Sequence, residues 1–248
     1  MSGPSARFLY YDQIALSTSG YTKEFDTPAR KQRLQEKEGP FETEPTYAAV
    51  GFQEDGELGL VLWAEDDLQA LMDSMHALAS SARVVCFSPF NTDAIGSTYV
   101  GCRIHDAKVG VLQPGGELTC FDFGGKVEGK LELGIILHNL TAETTDWDTE
   151  ASSQDNSASS ANGGIAHLIS TDGDLDGGDG ITHEVIDSAD DITFGTLVSF
   201  TQITAWPTSG QRVTVSGTVE RYVACKGAHA GTPGGSETDT TFIGFDRL

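Results

Sequence analysis

Hydrophobic and polar positions alternate in many short runs along the chain, and Gly, Pro, Asp or Ser residues separate one run from the next. Such alternation is typical of β-strands with one buried face. Four or more antiparallel strands are predicted in ARVVCFSPF, STYVGCRIHDAKVGVL, ELTCFDFGG and KVEGKLELGIIL, with turns at 114–116 and 124–125. Further strands are predicted after residue 163, in GIAHLIS, THEVIDSA, GTLVSFTQITAW, QRVTVSGTVERYVACKG and TTFIGFDRL. The chain is therefore predicted to be mainly β.

The first 63 residues predict three strands and a long loop. Residues 8–16 mix aromatic and aliphatic side chains, as a first strand does. Residues 21–45 are polar, contain prolines and lack a clear period, which predicts a loop. The segments TYAAVGF and LGLVLW then flank the turn-like EDGE, and this arrangement predicts a β-hairpin within residues 46–63.

One helix is predicted, in residues 65–82. Its apolar residues recur with a 3.6-residue period, and Glu65, Asp66 and Asp67 lie in its first turn, where the helix dipole favours negative charge. Because an apolar stripe is what any helix laid on a sheet requires, its methionines are interpreted as packing residues.

A change of composition predicts a boundary between two domains. Residues 141–163 are small, polar and nearly free of aliphatic side chains, which is typical of a linker. The predicted division is a first domain in residues 1–140, a linker in 141–163, and a C-terminal β-domain in 164–248. Regular short strands without a helical pattern predict a small β-sandwich for the last of these.

The charge balance is strongly acidic. The chain has 37 Asp and Glu residues against 15 Lys and Arg, a formal net charge of −22. Such a surface repels nucleic acid and anionic membranes. It suits concentrated salt, where the Debye length falls to about 3 Å near 1 M. A salt-loving archaeal host and an ordinary host both remain compatible with this composition.

Neither a membrane span nor a cysteine framework is predicted. No window has the roughly 20 apolar residues that a spanning helix needs, and the first residues lack the pattern of a secretion signal. The cysteines lie far apart and form no C-x-x-C pair, so we expect buried reduced thiols at Cys86, Cys102, Cys120 and Cys225.

A basic cluster interrupts the acidic chain. Four of the 15 basic residues fall within eight positions, at Arg30, Lys31, Arg33 and Lys37. The cluster is either a solvated part of the predicted loop or a contact arm that binds an acidic neighbour.

One segment partly matches a calcium-binding loop. Asp172, Asp174 and Asp176 alternate with other residues and precede Gly177, as in an EF-hand loop, but the twelfth position holds His183 instead of glutamate. Two interpretations stay open, a Ca²⁺ or Na⁺ site and an acidic hairpin tip. No other cofactor is predicted.

No catalytic residue is predicted. The six histidines form no H-x-x-x-H pair, and G-x-S-x-G, P-loop and G-x-G-x-x-G motifs are absent. His105, Asp106 and Asp122 lie in predicted strands, where paired polar residues on an outer face are common. We therefore expect that the chain is not an enzyme.

Several segments carry a resemblance to a known family. The order of helix, RVVCFSPF strand and LTCFDFGGKVEGKLELGIIL in residues 67–140 resembles the second half of the major tail (tail tube) protein of siphovirus-type tailed viruses. The C-terminal part resembles a β-domain found in many of those proteins. Its matching positions are the GG-x-AHL segment at 163–168, the DSADD turn at 187–191 before Phe194, and the RV-x-V-x-GTV-x-RY segment at 212–222.

The resemblance implies a fold and an assembly. The fold would be a tail-tube-type β-sandwich or barrel with one packed α-helix, followed by a small immunoglobulin-like β-sandwich. Six copies would form a ring, and stacked rings would form a hollow tube that conducts viral DNA without binding it specifically. The implied partners are further copies and the tape measure, tail terminator and baseplate proteins. The implied location is the virion tail, assembled in the host cytoplasm.

Two sets of residues acquire expected roles in such a tube. Acidic side chains facing the lumen would repel DNA, and the candidates are Glu117, Asp122, Glu128 and Glu132. The basic cluster at 30–37 would provide a contact between rings.

Two alternatives are open. A capsid decoration or minor tail protein would bind host-surface glycan through its C-terminal sandwich, for which Trp206 and Tyr222 are the candidate aromatic platform. A calcium-dependent enzyme or adhesin would use the aspartate-rich loop at 172–177.

Overall fold

The computed structural model describes the chain at residues 8–11, 14–17, 22–26, 31–37, 46–54, 57–63, 83–88, 92–112, 120–175, 180–206, 208–230 and 238–248. Up to residue 63, and at 106–112 and 120–124, the description covers the backbone alone. The protein is mainly β, with 66% of residues in strands and 2% in helical turns, which confirms the predicted fold class at that level.

The described strands, numbered along the chain, are β1 Phe8–Tyr11, β2 Ile14–Ser17, β3 Thr22–Asp26, β4 Lys31–Lys37, β5 Thr46–Glu54, β6 Glu57–Trp63, β7 Arg83–Ser88, β8 Thr98–Leu112, β9 Cys120–Glu143, β10 Trp147–Asp148, β11 Gln154–Asp155, β12 Gly164–Asp174, β13 Ile181–Ser188, β14 Gly195–Ser199, β15 Gln211–Val215, β16 Tyr222–His229 and β17 Thr238–Arg247. A single 3₁₀ turn, Glu150–Ser152, lies between β10 and β11. The helix predicted in residues 65–82 lies outside the described residues.

The chain divides into two compact units. Unit 1 consists of residues 1–22, 82–103 and 131–248, and unit 2 consists of residues 23–81 and 104–130. The long strands β8 and β9 each contribute residues to both units. These units do not coincide with the predicted division at 141–163.

Unit 1 contains two antiparallel sheets. The larger has the strand order β15-β12-β17-β9-β8-β7-β1-β2, and in the smaller one β10 and β11 pair with β16, which is followed by β13 and β14. The predicted linker forms β10, the 3₁₀ turn and β11, and both of these strands pair with β16. Its polar composition marks short edge elements whose backbone is paired in a sheet.

The central strands of the larger sheet are buried on both faces. Ile136, Ile169 and Phe242 belong to one buried cluster, while the next residues along their strands, Leu137 and Ile243 among them, belong to another. Successive side chains of a strand point to opposite faces, so these strands need apolar residues at nearly every position. That requirement explains the continuous runs GIAHLIS and LGIIL.

The second cluster fills the space between the two sheets of unit 1. It combines Leu137, Ala166 and Phe245 of the larger sheet with Val185 and Cys225 of the smaller one. All five side chains are at most 1% exposed. Full burial of an aliphatic or aromatic side chain contributes roughly 1.5–3 kcal/mol, so this shared core joins the two sheets.

Unit 2 contains β3, β4, β5 and β6 with the adjoining parts of β8 and β9. Within it, β6 pairs with β3 and with β9, and β4 pairs with β5. Among the described residues, the hairpin predicted between β5 and β6 is therefore not formed. The loop predicted in residues 21–45 contains the strands β3 and β4, so a polar composition without a clear period did not exclude strands there.

Two other boundaries also differ from the prediction. The single strand predicted at 8–16 is a pair, β1 and β2. The turn predicted at 124–125 lies inside β9, where Gly124 pairs with Gly59 and Gly125 with Leu58. A Cβ at Gly125 would lie 3.0 Å from the backbone oxygen of His105, so this glycine permits close packing and does not end the strand.

Candidate functional site

A buried network of charged and polar side chains lies within unit 1. The carboxylate of Glu132, 2% exposed, accepts hydrogen bonds from Nε of Arg212 at 3.0 and 3.1 Å, and the Nη2 group of the same arginine also donates to it. His167 Nε2 lies 2.8 Å from Glu132 Oε2, without good hydrogen-bond alignment. On the other side of the ring, the Tyr99 hydroxyl lies 2.8 Å from His167 Nδ1. We call these four residues the Glu132 network.

The charges of the Glu132 network follow from its surroundings. Burial acts to raise the pKa of Glu132, but the close contact with His167 and the hydrogen bonds from Arg212 outweigh burial, and the pKa is lowered. Burial lowers the pKa of His167, and its contact with Glu132 opposes this only in part. The pair therefore consists of a carboxylate and a neutral imidazole at neutral pH. Burial also raises the pKa of Tyr99 well above its ordinary value, so its hydroxyl stays protonated.

Glycines make room for this network. A Cβ at Gly101 would lie 2.6 Å from the His167 ring, and one at Gly244 would lie 2.4 Å from the Tyr99 ring. Contacts under 3 Å are incompatible with a side chain, so both positions require glycine. His167 and Tyr99 then meet edge-on, with ring centroids 5.6 Å apart.

A second buried network lies around Asp239. Asp239 Oδ2 is 2.5 Å from His183 Nε2, while Oδ1 accepts hydrogen bonds from Thr241 Oγ1 and, at 3.3 Å, from Ser170 Oγ. Ser170 Oγ in turn accepts a hydrogen bond of 2.7 Å from Trp206 Nε1. His183, Asp239 and Thr241 are fully buried. We call this group the Asp239 network.

The Asp239 network contains the residue types of a catalytic triad, but its geometry differs from one. Burial acts to raise the pKa of Asp239, and the bonds from His183 and Thr241 outweigh it, so the pKa is lowered. Both the hydroxyl of Ser170 and the imidazole of His183 bind the carboxylate, whereas a nucleophile must bind the imidazole. Thr241 Oγ1 also lies 3.5 Å from His183 Nε2, but this hydroxyl donates its hydrogen bond to Asp239. The arrangement links strands β12, β13 and β17.

An aromatic row adjoins the Asp239 network. His138 stacks on Trp147 with ring centroids 4.0 Å apart, and the Trp147 ring lies 6.0 Å from that of His183. A Cβ at Gly227 would lie 2.5 Å from Trp147 Nε1, so this glycine lets the indole lie flat on β16. The row crosses from β9 of the larger sheet to β13 of the smaller one.

The DSADD segment forms a tightly hydrogen-bonded turn between β13 and β14. Asp190 Oδ1 accepts hydrogen bonds of 3.0 Å from the backbone N–H groups of Ile192 and Thr193, and it also accepts one from the Ser188 hydroxyl. These bonds lower the pKa of Asp190. Ser188 Oγ accepts from the N–H groups of Asp190 and Asp191. Asp191 has φ 61°, the left-handed region that Asp tolerates better than most residues. Asp191 therefore holds the left-handed position of this turn without a glycine.

The predicted cation loop is only partly described. Asp172 and Asp174 are exposed residues of β12, which continues to Asp174. Asp176 lies outside the described residues. Across the described part of the chain, no three His, Cys, Asp or Glu side chains are grouped so that they could hold a metal ion.

The four candidate lumen carboxylates have different environments. Glu128 is 45% exposed in its side chain and lies 3.0 Å from His105 Nε2. Asp122 lies in β9, with its side chain outside the described part, and Glu117 lies outside the described residues altogether. The prediction for Glu132 is wrong, because its carboxylate is buried and bound by Arg212 and His167 within the same chain.

The basic cluster is mainly a strand. Lys31, Arg33 and Lys37 belong to β4, which pairs with β5, and Arg30 lies outside the described residues. The register shifts between Gln32 and Leu34, so a bulge falls at Arg33. The role of the cluster in a contact between subunits stays a prediction.

The candidate glycan platform is used in the fold. Trp206 is partly buried against the core between the sheets, and a Cβ at Gly173 would lie 2.2 Å from its ring. Tyr222 carries the Arg221 guanidinium 4.8 Å above its ring. Both aromatic faces therefore have occupants within the chain, and nothing in this geometry favours a sugar site at the pair.

Both networks were missed by the sequence analysis. His167 and Arg212 belong to the GG-x-AHL and RV-x-V segments. The sequence marked these segments only by their resemblance to the tail protein family. Charged residues placed inside otherwise apolar strands were the available signal, because such residues are rarely buried without a partner. Sequence spacing could not identify the partners, since Glu132 and Arg212 are 80 positions apart.

No protein-family model and no curated protein sequence matches this chain. Within the described residues, no helix combines the length and apolar character that crossing a membrane requires.

Proposed function

We propose that this chain is a structural protein of a virus particle, the subunit of a tail tube. In this proposal, hexameric rings stack into a hollow tube in the virion tail, assembled in the host cytoplasm. Viral DNA passes through the tube without specific binding. The tape measure, tail terminator and baseplate proteins are the proposed partners at its ends and inside it, and the acidic composition suits a haloarchaeal host.

The observation that carries the proposal is the structural position of the residues that resemble the family. His167 and Arg212 come from two of the three resembling segments, and they bind the same buried carboxylate, Glu132. Gly163 has φ 74°, and a Cβ there would lie 2.1 Å from the Val215 oxygen, while one at Gly164 would lie 2.3 Å from the Phe245 ring. The resembling residues are those on which the fold of unit 1 depends, which supports a likeness of fold.

The geometry of the two networks also favours a structural role. In the Asp239 network the hydroxyl groups of Ser170 and Thr241 bind the carboxylate. In the Glu132 network Arg212 and Tyr99 make hydrogen bonds within the chain, and His167 Nε2 lies 2.8 Å from the Glu132 carboxylate. Both arrangements connect strands of unit 1. The proposed lumen lining is reduced to Glu117, Asp122 and Glu128.

Electron microscopy of the purified protein in molar salt tests the proposal. Rings about one subunit thick, or stacked tubes with a central channel, are the expected particles, and sedimentation should show an assembly several times larger than the 26.3 kDa chain. The same sample at high dilution provides the control, since assembly must depend on concentration. Particles that remain monomeric from low to molar salt at high protein concentration would refute the proposal.

A further inference from the structure

The turn between β13 and β14 presents an apolar side chain on an acidic surface. Ile192 is 81% exposed, more than the other large hydrophobic residues on the described surface, Leu133 at 63% and Leu248 at 40%. Its neighbours Asp190 and Asp191 are exposed as well. An isolated exposed isoleucine is ordinary. This one is held by a turn whose backbone N–H groups are bound by Asp190 and Ser188.

A second group of side chains is tied to this turn. Ser153 Oγ donates a hydrogen bond to Asp191, so the segment after the 3₁₀ turn lies against it. Asp155 there binds Arg221 through two bonds of 2.6 and 2.7 Å, and the Arg221 guanidinium lies over Tyr222. We call Asp155, Asp190, Asp191, Ile192, Arg221 and Tyr222 the Ile192 surface.

The Ile192 surface has the composition of a protein contact. Tyr and Arg are enriched among the residues that dominate binding energy, and an exposed apolar anchor beside them adds area that binding would bury. Because the turn is already ordered by internal hydrogen bonds, docking costs little conformational entropy. The surface is nevertheless acidic, since three carboxylates accompany a single arginine. Its partner must therefore be basic.

We propose that the Ile192 surface binds the basic segment 30–37 of a second copy of this chain. Four of the 15 basic residues of the chain occur in this segment, and most of it forms the strand β4, so it complements an acidic surface better than any other stretch of equal length. The two contacting surfaces differ, and such a head-to-tail contact can repeat from subunit to subunit into rings or stacks. The inference rests on the proposed self-assembly and names the surfaces involved.

Substitutions on each surface test the contact separately. Ile192→Ser should raise the protein concentration at which half of the chains are assembled at least tenfold, as measured by sedimentation velocity. The matched control Thr193→Ser in the same turn should assemble like the wild type. Ile192 is so exposed that both variants should unfold like the wild type. Replacing Lys31, Arg33 and Lys37 together with Glu should abolish assembly at 0.15 M salt. The charge-conserving triple Lys31→Arg, Arg33→Lys and Lys37→Arg should not.

Mixing the two defective variants gives the decisive result. Ile192→Ser retains an intact basic segment, and the Glu triple retains an intact Ile192 surface, so their mixture should form one-to-one dimers that grow no further. A mixture that stays monomeric, or an Ile192→Ser variant that assembles normally, would overturn the inference while leaving the tube proposal intact if the wild type forms tubes. Wild-type oligomers that are joined through Ile192 but form neither rings nor tubes would support the inference and refute the tube.

Discussion

The substitution Glu132→Gln removes one buried charge while it keeps the shape of the side chain. Glu132 is 2% exposed, and Arg212 and His167 both bind its carboxylate. Removing one partner of a buried ion pair costs about 3–5 kcal/mol, because the other charge is left buried without compensation. Arg212 is 26% exposed in its side chain and can turn toward water, which places the expected loss near the lower limit, at about 3 kcal/mol.

Glu128→Gln is the matched control on the same strand. Glu128 lies four positions earlier in β9, and it and its partner His105 are 45% and 46% exposed in their side chains. Exposed pairs of this kind contribute about 1 kcal/mol or less, since solvent screens them. The two substitutions change the same chemical group. The difference between their losses of unfolding free energy therefore measures the effect of burying the carboxylate.

Urea unfolding followed by tryptophan fluorescence measures both losses. Trp147 and Trp206 lie with Glu132 in unit 1, and Trp63 lies with Glu128 in unit 2, so the three native tryptophans together report the unit that holds each substitution. Urea is the suitable denaturant because it adds no ions. The free energy of unfolding should fall by about 3 kcal/mol for Glu132→Gln and by less than about 1 kcal/mol for Glu128→Gln. Equal losses within about 0.5 kcal/mol would show that the Glu132 network does not stabilise the fold.

Three other predictions concern unit 1. Burial holds the folded pKa of His167 below its ordinary value of 6.5, so the folded chain binds fewer protons, and stability should be full above pH 6.5 and fall below it. His167→Gln should flatten this slope in acid-unfolding curves, and an unchanged slope in this variant would contradict the reasoning. Gly163→Ala should cost at least about 2 kcal/mol more in thermal or urea unfolding than Gly129→Ala, because both have positive φ but only the former meets backbone atoms. In a Cys120→Ser background, burial should keep the remaining thiols unreactive toward Ellman's reagent until the protein unfolds, and rapid reaction of the folded protein would contradict this.

The strands of unit 1 could be predicted from the sequence because their signal is local. Residues 83–88, 164–170 and 181–188 are bounded by turn residues and rich in β-branched or aromatic side chains, and all three are strands of the structure. Their pairing could not be predicted in this way. The order β12-β17-β9 joins residues far apart in the chain, and the sequence of one strand does not identify the strand with which it pairs.

The compact units differ from the predicted domain division for a related reason. Residues 141–163 resemble a linker because short edge strands need few apolar side chains, and β10 and β11 have two residues each. What fixes them is a set of hydrogen bonds to β16, including Thr149 Oγ1 to the Cys225 carbonyl at 3.3 Å. Polar side chains satisfied by backbone groups leave no hydrophobic pattern in the sequence.

Interior and surface residues carry different kinds of information in this chain. Inside unit 1, Gly163, Gly164, His167 and Arg212 are constrained by clashes and by a buried charge, so they specify the fold. On the surface, a net charge of −22 repels other copies at almost every orientation. In the proposed assembly, contact between the clustered cations at 30–37 and the exposed Ile192 would favour one orientation over the rest, because specificity arises from the contrast between one attractive contact and many repulsive ones. Loss of assembly after substituting either feature, with folding unchanged, is the result that this reasoning requires.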